Sequence, residues 1–109
     1  MRHLWARGFG RLHSDAEIIT TDDGKQFLIA VIEFEKRTLG NGKPYAQRVT
    51  FRSFDNDDMD AVNLLIEGTH IMFDGDCDAV ADKSSTGWWY ANPRITGRIS
   101  EIIPSGHES

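Results

Sequence analysis

The stretch Tyr45-Ala46-Gln47-Arg48-Val49-Thr50-Phe51-Arg52-Ser53-Phe54, followed by Asp55-Asn56-Asp57-Asp58-Met59-Asp60-Ala61-Val62-Asn63-Leu64-Leu65-Ile66-Glu67-Gly68, changes periodicity half-way. Its first part alternates, so Arg48, Thr50, Arg52 and Phe54 share one face of a strand and Val49, Phe51 and Ser53 share the other. Its second part predicts a helix capped by Asp57 or Asp58, with Ala61, Leu64 and Leu65 as its apolar side and Gly68 as its end. A strand that runs into a short helix is the pivot on which the rest of the chain can be ordered.

Strand signals dominate on both sides of that pivot. Upstream, Trp5, Arg7, Phe9 and Arg11 alternate with Ala6, Gly8, Gly10 and Leu12, and glycines inside such a strand mark a bend or bulge. Ile18-Ile19-Thr20 leads through Asp22-Asp23-Gly24 into another apolar run, and Asp-Gly between two such runs is a hairpin signal. Gln26 to Lys36 is extended and reads as buried on both sides over Phe27-Leu28-Ile29-Ala30-Val31-Ile32. Leu39-Gly40-Asn41-Gly42-Lys43-Pro44 reads as an exposed loop. Downstream, Ile71, Phe73, Gly75 and Cys77 alternate with Met72, Asp74, Asp76 and Asp78. A turn over Lys83-Ser84-Ser85-Thr86-Gly87 precedes a last strand from Trp88 to Ile103, with a break expected near Pro93. A five-stranded all-β Greek-key barrel with one short helix between its third and fourth strands is the OB architecture, and this order of elements predicts it. A domain over residues 1–104 and a short tail over 105–109 are expected.

Composition bounds the function classes. The 109 residues suffice for one domain, and 39% hydrophobic with 27% charged residues is the profile of a soluble globular chain. The apolar run at Phe27–Ile32 is far too short to cross a bilayer, and no secretory signal is visible at Met1-Arg2-His3-Leu4-Trp5, so a cytoplasmic location without membrane attachment is expected. Cys77 is the sole cysteine, which excludes an intrachain disulfide and fits a reducing compartment. The net charge of −5, from 12 basic and 17 acidic residues, is an awkward sign for a nucleic-acid binder. Placement of the arginines therefore matters more than the total.

Several segments together resemble the bacterial single-stranded-DNA-binding protein family. Gly10-Arg11-Leu12 with Asp15-Ala16-Glu17 is similar to the family's opening, though Ala16 stands where proline is usual. Gly24 with Phe27-Leu28-Ile29-Ala30-Val31 resembles its glycine-bounded second strand. Val49 to Phe54 resembles its third, which ends in phenylalanine, and Gly68 with Ile71-Met72-Phe73-Asp74-Gly75 resembles its fourth. The likeness spans roughly Leu4 to Ile103. It implies a cytoplasmic, oligomeric protein that coats single-stranded DNA in replication, repair or mobile-element metabolism. Departures are Arg48, about where a stacking tryptophan is common, Asp76 and Asp78 on a strand usually neutral or basic, and the lack of a long glycine-rich tail with an acidic tip. A short phage, plasmid or primosomal-accessory member fits that pattern.

Single-stranded DNA is held by aromatic faces under the bases and cations along the phosphates. Arg48, Arg52 and Phe54 are the first candidates, since those side chains cannot all enter a small core; a core phenylalanine at a strand end is the plainer alternative for Phe54. Trp88, Trp89 and Tyr90 alternate, so at least one large aromatic lies outside the core, to stack or to cap the barrel end. Arg94 and Arg98 share one parity and are candidates to extend the basic stripe, with an ordinary solvated face as the alternative for both and more so for Arg98. Arg11 is a candidate phosphate contact or half of a Trp–Arg stack. Lys36 and Arg37 flank the glycine-rich loop as phosphate contacts or as solubilising charges.

The remaining polar residues point away from chemistry. Asp55 to Asp60 lacks the glycine and terminal glutamate of a calcium loop, and capping explains it more simply. Asp74, Asp76 and Asp78 suggest an exposed face that repels nucleic acid or a guarded sheet edge. His3, His13, His70 and His107 are scattered, and no nucleophile motif or phosphate-cradling loop occurs. No catalysis, cofactor or metal is expected. The expected partner is single-stranded DNA, with RNA as a further candidate. A homodimer or homotetramer formed through the apolar first and second strands is expected, with replication proteins as further partners. The rival reading keeps the barrel as a protein-interaction subunit of a replication or conjugation complex with little nucleic-acid affinity.

Overall fold

Alternating apolar and polar residues become strands when one face can be buried, and here that happens along most of the chain. The computed structural model describes residues 4–38, 42, 44–83, 85–87 and 89–104, with the backbone alone for 34–38, 44–46, 80, 82 and 89–91. Strands β1 (Leu4–Leu12), β2 (Glu17–Thr20), β3 (Gln26–Thr38) and β4 (Pro44–Ser53) precede helix α1 (Asn56–Asp60) and a 3₁₀ turn at Val62–Leu64. Strands β5 (His70–Lys83) and β6 (Trp89–Ile103) follow.

The sheet closes on itself. Its order is β1-β5-β6-β4-β3, and β3 returns to β1 through Arg11 opposite Glu33 and Leu12 opposite Ile32. β4 and β6 run parallel and the other pairs antiparallel. β2 occupies the first part of the same β3 edge that β1 takes further along. The five expected barrel strands are thus present, with β2 as the short extra strand of the Asp-Gly hairpin. Gly24 has φ +86° there, a left-handed conformation that a side chain disfavours.

Inside the barrel lie Leu12, Leu28, Ile32, Val49, Phe51, Leu65, Ile71, Phe73 and Ile95, with the Phe51 and Phe73 rings 5.4 Å apart. Gly75 and Gly97 face each other across β5 and β6, and a Cβ on Gly97 would overlap the Asp74 carbonyl oxygen. The two strands approach this closely because neither carries a side chain at that point.

Four local expectations change. Phe27, Ile29 and Val31 are only half-buried while Leu28, Ala30 and Ile32 are fully inside, so β3 is not buried on both sides. A barrel has one interior, and among the described residues no element covers the outer face of β3. The helix cap is Asp55, whose carboxylate accepts the Asp57 N–H at 2.8 Å; Asp58 turns inward instead. Asp58 accepts the Ser53 hydroxyl at 2.5 Å and the Ile99 N–H at 3.0 Å, tying the helix to the end of β4 and to the second half of β6. Leu64 is exposed and only Leu65 enters the core. Finally, β6 runs unbroken through Pro93, which pairs opposite Ala79. The contact with β4 begins only at Arg94, so the missing proline N–H costs no ladder bond on that side.

Candidate nucleic-acid interface

Outward-pointing residues of β3, β4 and β6 form one continuous surface. Register places Ile29 beside Arg52 and Arg52 beside Thr96; Val31, Thr50, Arg94 and Asp78 form the next row, and Glu33 and Arg48 the one after. At about 3.3 Å per residue, the stripe from Phe54 to Arg48 is about 20 Å long. A groove follows it, lined by Phe27, Ile29, Thr50, Arg52, Pro93 and Arg94. The groove continues past Phe27 and Arg52 to Thr21, Asp22, Lys25 and Phe54 at the hairpin.

Phe54 is 45% exposed, which excludes the core alternative for this residue. Its ring lies 5.3 Å from that of Phe27, inclined by 39°. The Arg52 guanidinium carbon sits 6.0 Å from both ring centres, and the Lys25 ammonium lies 5.9 Å from Phe54. Two aromatic faces and two cations therefore meet at the hairpin end of the groove, where cation–π attraction holds them together.

The arginines differ in what they already hold. Arg52 donates through Nε and Nη2 to the Thr96 hydroxyl at 3.3 and 3.0 Å and, among the described residues, makes no ion pair with a carboxylate. Burial, and then the nearby Arg94 charge, push its pKa down, with Asp78 opposing. The guanidinium still stays charged, as arginine does in proteins. Arg94 forks onto Asp78, Nε to Oδ1 at 3.1 Å and Nη2 to Oδ2 at 2.9 Å. That pair raises the Arg94 pKa and lowers that of Asp78. Arg11 and Arg48 converge on one carboxylate: Arg11 Nη2 reaches Glu33 Oε1 at 3.0 Å and Arg48 Nε reaches Oε2 at 3.3 Å. His13 Nδ1 stands 3.1 Å from the same Oε2. Arg11 first, then Arg48 and His13, hold the Glu33 carboxyl below its ordinary value against the opposing effect of burial. This cluster lies where β1 meets β3 and closes the barrel.

The structure thus brings together Phe54, Arg52, Arg48 and Arg94 on one face, with Arg11 at its far end. Lys36 and Arg37 lie on β3 opposite Ala46 and Tyr45, with their side chains outside the described set. Trp89 and Tyr90 open β6 opposite Lys83 and Asp82, again by backbone alone, and Trp88 lies outside the described residues. Arg98 turns away to Asp55 at 3.0 Å. Of the two expectations for the acidic strand, an exposed face or a guarded edge, the edge does not hold at Asp74 and Asp76, where β5 has β1 on one side and β6 on the other. Asp78 lies one residue past the last pair with β1, at Cys77, and Asp76 and Asp78 are exposed on this strand. Two of its aspartates meet arginines: Asp78 holds Arg94, and Asp74 lies 3.9 Å from Arg7.

Sequence reasoning missed Phe27, Glu33 and Thr96 as parts of this surface. The signal for the first two was present. Phe27 shares a parity with Glu33, and a glutamate on the same face as Ile29 and Val31 argues that the face is not core.

No protein-family model and no curated protein sequence matches the chain. Solved structures do. A small single-stranded DNA-binding protein from Streptomyces coelicolor superposes with a TM-score of 0.69 at 11% identity, covering 97% of each chain. A mitochondrial single-stranded DNA binding protein from S. cerevisiae gives 0.67 at 15% identity, covering 97% of this chain and 100% of that one. A Plasmodium falciparum protein of the same kind, solved with single-stranded DNA, gives 0.65 at 13% identity over 95% and 97%. The chain has the OB-fold barrel that these proteins share.

Proposed function

We propose that this chain binds single-stranded DNA without sequence preference along the outer face of β3, β4 and β6. The observation that carries the reading is the exposed Phe27–Phe54 pair, with the Arg52 guanidinium, free of an acidic partner among the described residues, above both rings. Stacking platforms beside a cation on an open groove suit a strand whose bases are unpaired. The single-stranded DNA held by the Plasmodium falciparum protein of the same fold supports the same assignment. Phe54 and Phe27 stack bases, Arg52 and Arg94 hold phosphates, and Arg48 and Arg11 extend the path beyond Thr50. Trp88, Trp89, Tyr90, Lys36 and Arg37 are further contacts in this proposal. No catalytic step is assigned to the protein.

The setting in this reading is replication, repair or mobile-element DNA metabolism in the cytoplasm, within a domain over residues 1–104. Among the described residues no helix is long and apolar enough to cross a membrane. Trp5 and Phe9, 57% and 48% exposed on β1, support assembly as a homodimer or homotetramer through that strand. RNA is the competing ligand, and replication proteins are candidate partners.

A second reading, a protein-docking barrel with little DNA affinity, draws on the net charge of −5 and on the carboxylates already held by Arg11, Arg48 and Arg94. Titrating a fluorescently labelled oligothymidine strand with the protein at low and moderate salt separates the two. A saturable anisotropy rise that weakens with salt is expected. No rise at low salt overturns DNA binding and leaves the docking reading.

A further inference from the structure

Asp78 grips Arg94 as a phosphate would. Both guanidinium donors meet both carboxylate oxygens, at 3.1 and 2.9 Å, which is the planar fork that arginine also offers to phosphate oxygens. The pair lies on the wall of the groove, where Arg94 stands beside Thr50 in register and lines the same hollow as Phe27 and Arg52. The Asp78 side chain is 57% exposed and that of Arg94 30%, so the carboxylate is rehydrated readily once released. Arg52 and Arg94 are like charges close enough to disfavour one another, and Asp78 is the group that offsets both.

We propose that Asp78 is a built-in phosphate surrogate, which occupies Arg94 in the free protein and competes with a strand phosphodiester for it. This inference rests on the single-stranded DNA reading above. Binding exchanges one anion for another on Arg94: the phosphodiester arrives, the carboxylate returns to water, and the Arg52–Arg94 pair keeps a counter-charge throughout. Asp78 thereby lowers affinity and removes Arg94 from the set of cations that release counterions, which keeps the binding less steep in salt than the number of arginines on the face suggests.

The test is the oligothymidine titration with wild type, Asp78→Asn and the double variant Asp78→Asn/Arg94→Ala, at several salt concentrations. Asp78→Asn is expected to bind about 1.5- to fivefold more tightly at low salt, the range of an exposed ion pair. Its plot of log affinity against log salt is expected to steepen by about 0.7, the increment for one added phosphate contact on a single strand. Adding Arg94→Ala should cancel both changes and return the affinity to near wild type. The inference is overturned if Asp78→Asn binds no tighter than wild type. It is also overturned if the double variant keeps the tighter binding, since Asp78 would then act by its own charge and not by holding Arg94. Should neither wild type nor Asp78→Asn bind at low salt, the DNA reading falls with it, whereas a wild type that binds beside an unimproved Asp78→Asn removes the surrogate alone.

Discussion

Phe27 and Phe54 stand 5.3 Å apart, one at the start of β3 and the other just past the end of β4, and the antiparallel pairing of those strands makes them a single surface feature. Neither ring is enclosed: Phe54 is exposed and Phe27 half-buried. An aromatic pair left open beside cations gains little from burial, and under the proposed function its two faces suit stacking against unpaired bases.

Replacing Phe54 with alanine is expected to weaken oligothymidine binding by about 1–3 kcal/mol, the contribution of one stacked base. Phe27→Ala acts in the same direction, because it removes the ring against which Phe54 rests. Anisotropy titrations would measure both, with circular dichroism to check that the barrel persists. Wild-type affinity in a folded Phe54→Ala protein would remove this residue from the interface.

Arg52→Gln keeps a hydrogen-bonding group near Thr96 and deletes the charge. The slope of log affinity against log salt is expected to become shallower by about 0.7, since one phosphate contact on a single strand is lost. A slope unchanged within error would mean that Arg52 serves the two phenylalanine rings and not the strand.

Glu33 links pH to stability. Its carboxyl is held ionised in the barrel to lower pH than in the unfolded chain, chiefly by Arg11. Below about pH 4.3, therefore, the unfolded chain takes up the proton first and stability falls as pH falls through the lowered value. Glu33→Gln lacks that contribution at every pH. Its thermal midpoint is expected to lie below wild type at pH 7, with the gap narrowing as both are acidified through that window. A gap that stays constant down to pH 3 would show that the cluster contributes nothing through ionisation.

Gly97→Ala tests the close approach of β5 and β6. The added methyl meets the backbone of Asp74 and Gly75, which cannot move aside as a side-chain tip can. A loss of about 2–3 kcal/mol is expected, at the upper end of overpacking effects. For a domain of this length that lowers the thermal midpoint by roughly 10 °C or more. An unshifted midpoint in differential scanning calorimetry would contradict the observed strand spacing.

Much of the barrel is legible in the sequence. Val49, Phe51 and Ser53 face inward and Arg48, Thr50 and Arg52 outward, as their alternation requires. The Asp-Gly hairpin and the turn at Gly68, with φ +90°, also follow from local chemistry. Other details were less legible for physical reasons. Four aspartates between Asp55 and Asp60 offer the same capping chemistry, and only the position of Ser53 and the Ile99 N–H selects Asp58 as the one that turns inward. The apolar run of β3 reads as doubly buried because composition does not record that the barrel has a single interior.

What the sequence by itself determined is the parity of the alternating strands, the place of the helix and hence the closed barrel, because alternation and turn chemistry act over a few neighbouring residues. The uniformly apolar β3 is the strand whose parity it left open. What only the tertiary structure decided is which charge meets which. Glu33 gathers Arg11 and Arg48 because β1 and β4 both lie against β3 at that residue, and Asp78 meets Arg94 because the β5–β6 register sets them opposite. Register arises from closure and bulges, such as the shifts at Glu33/Glu35 and Met72/Phe73, and no stretch of one strand encodes it alone.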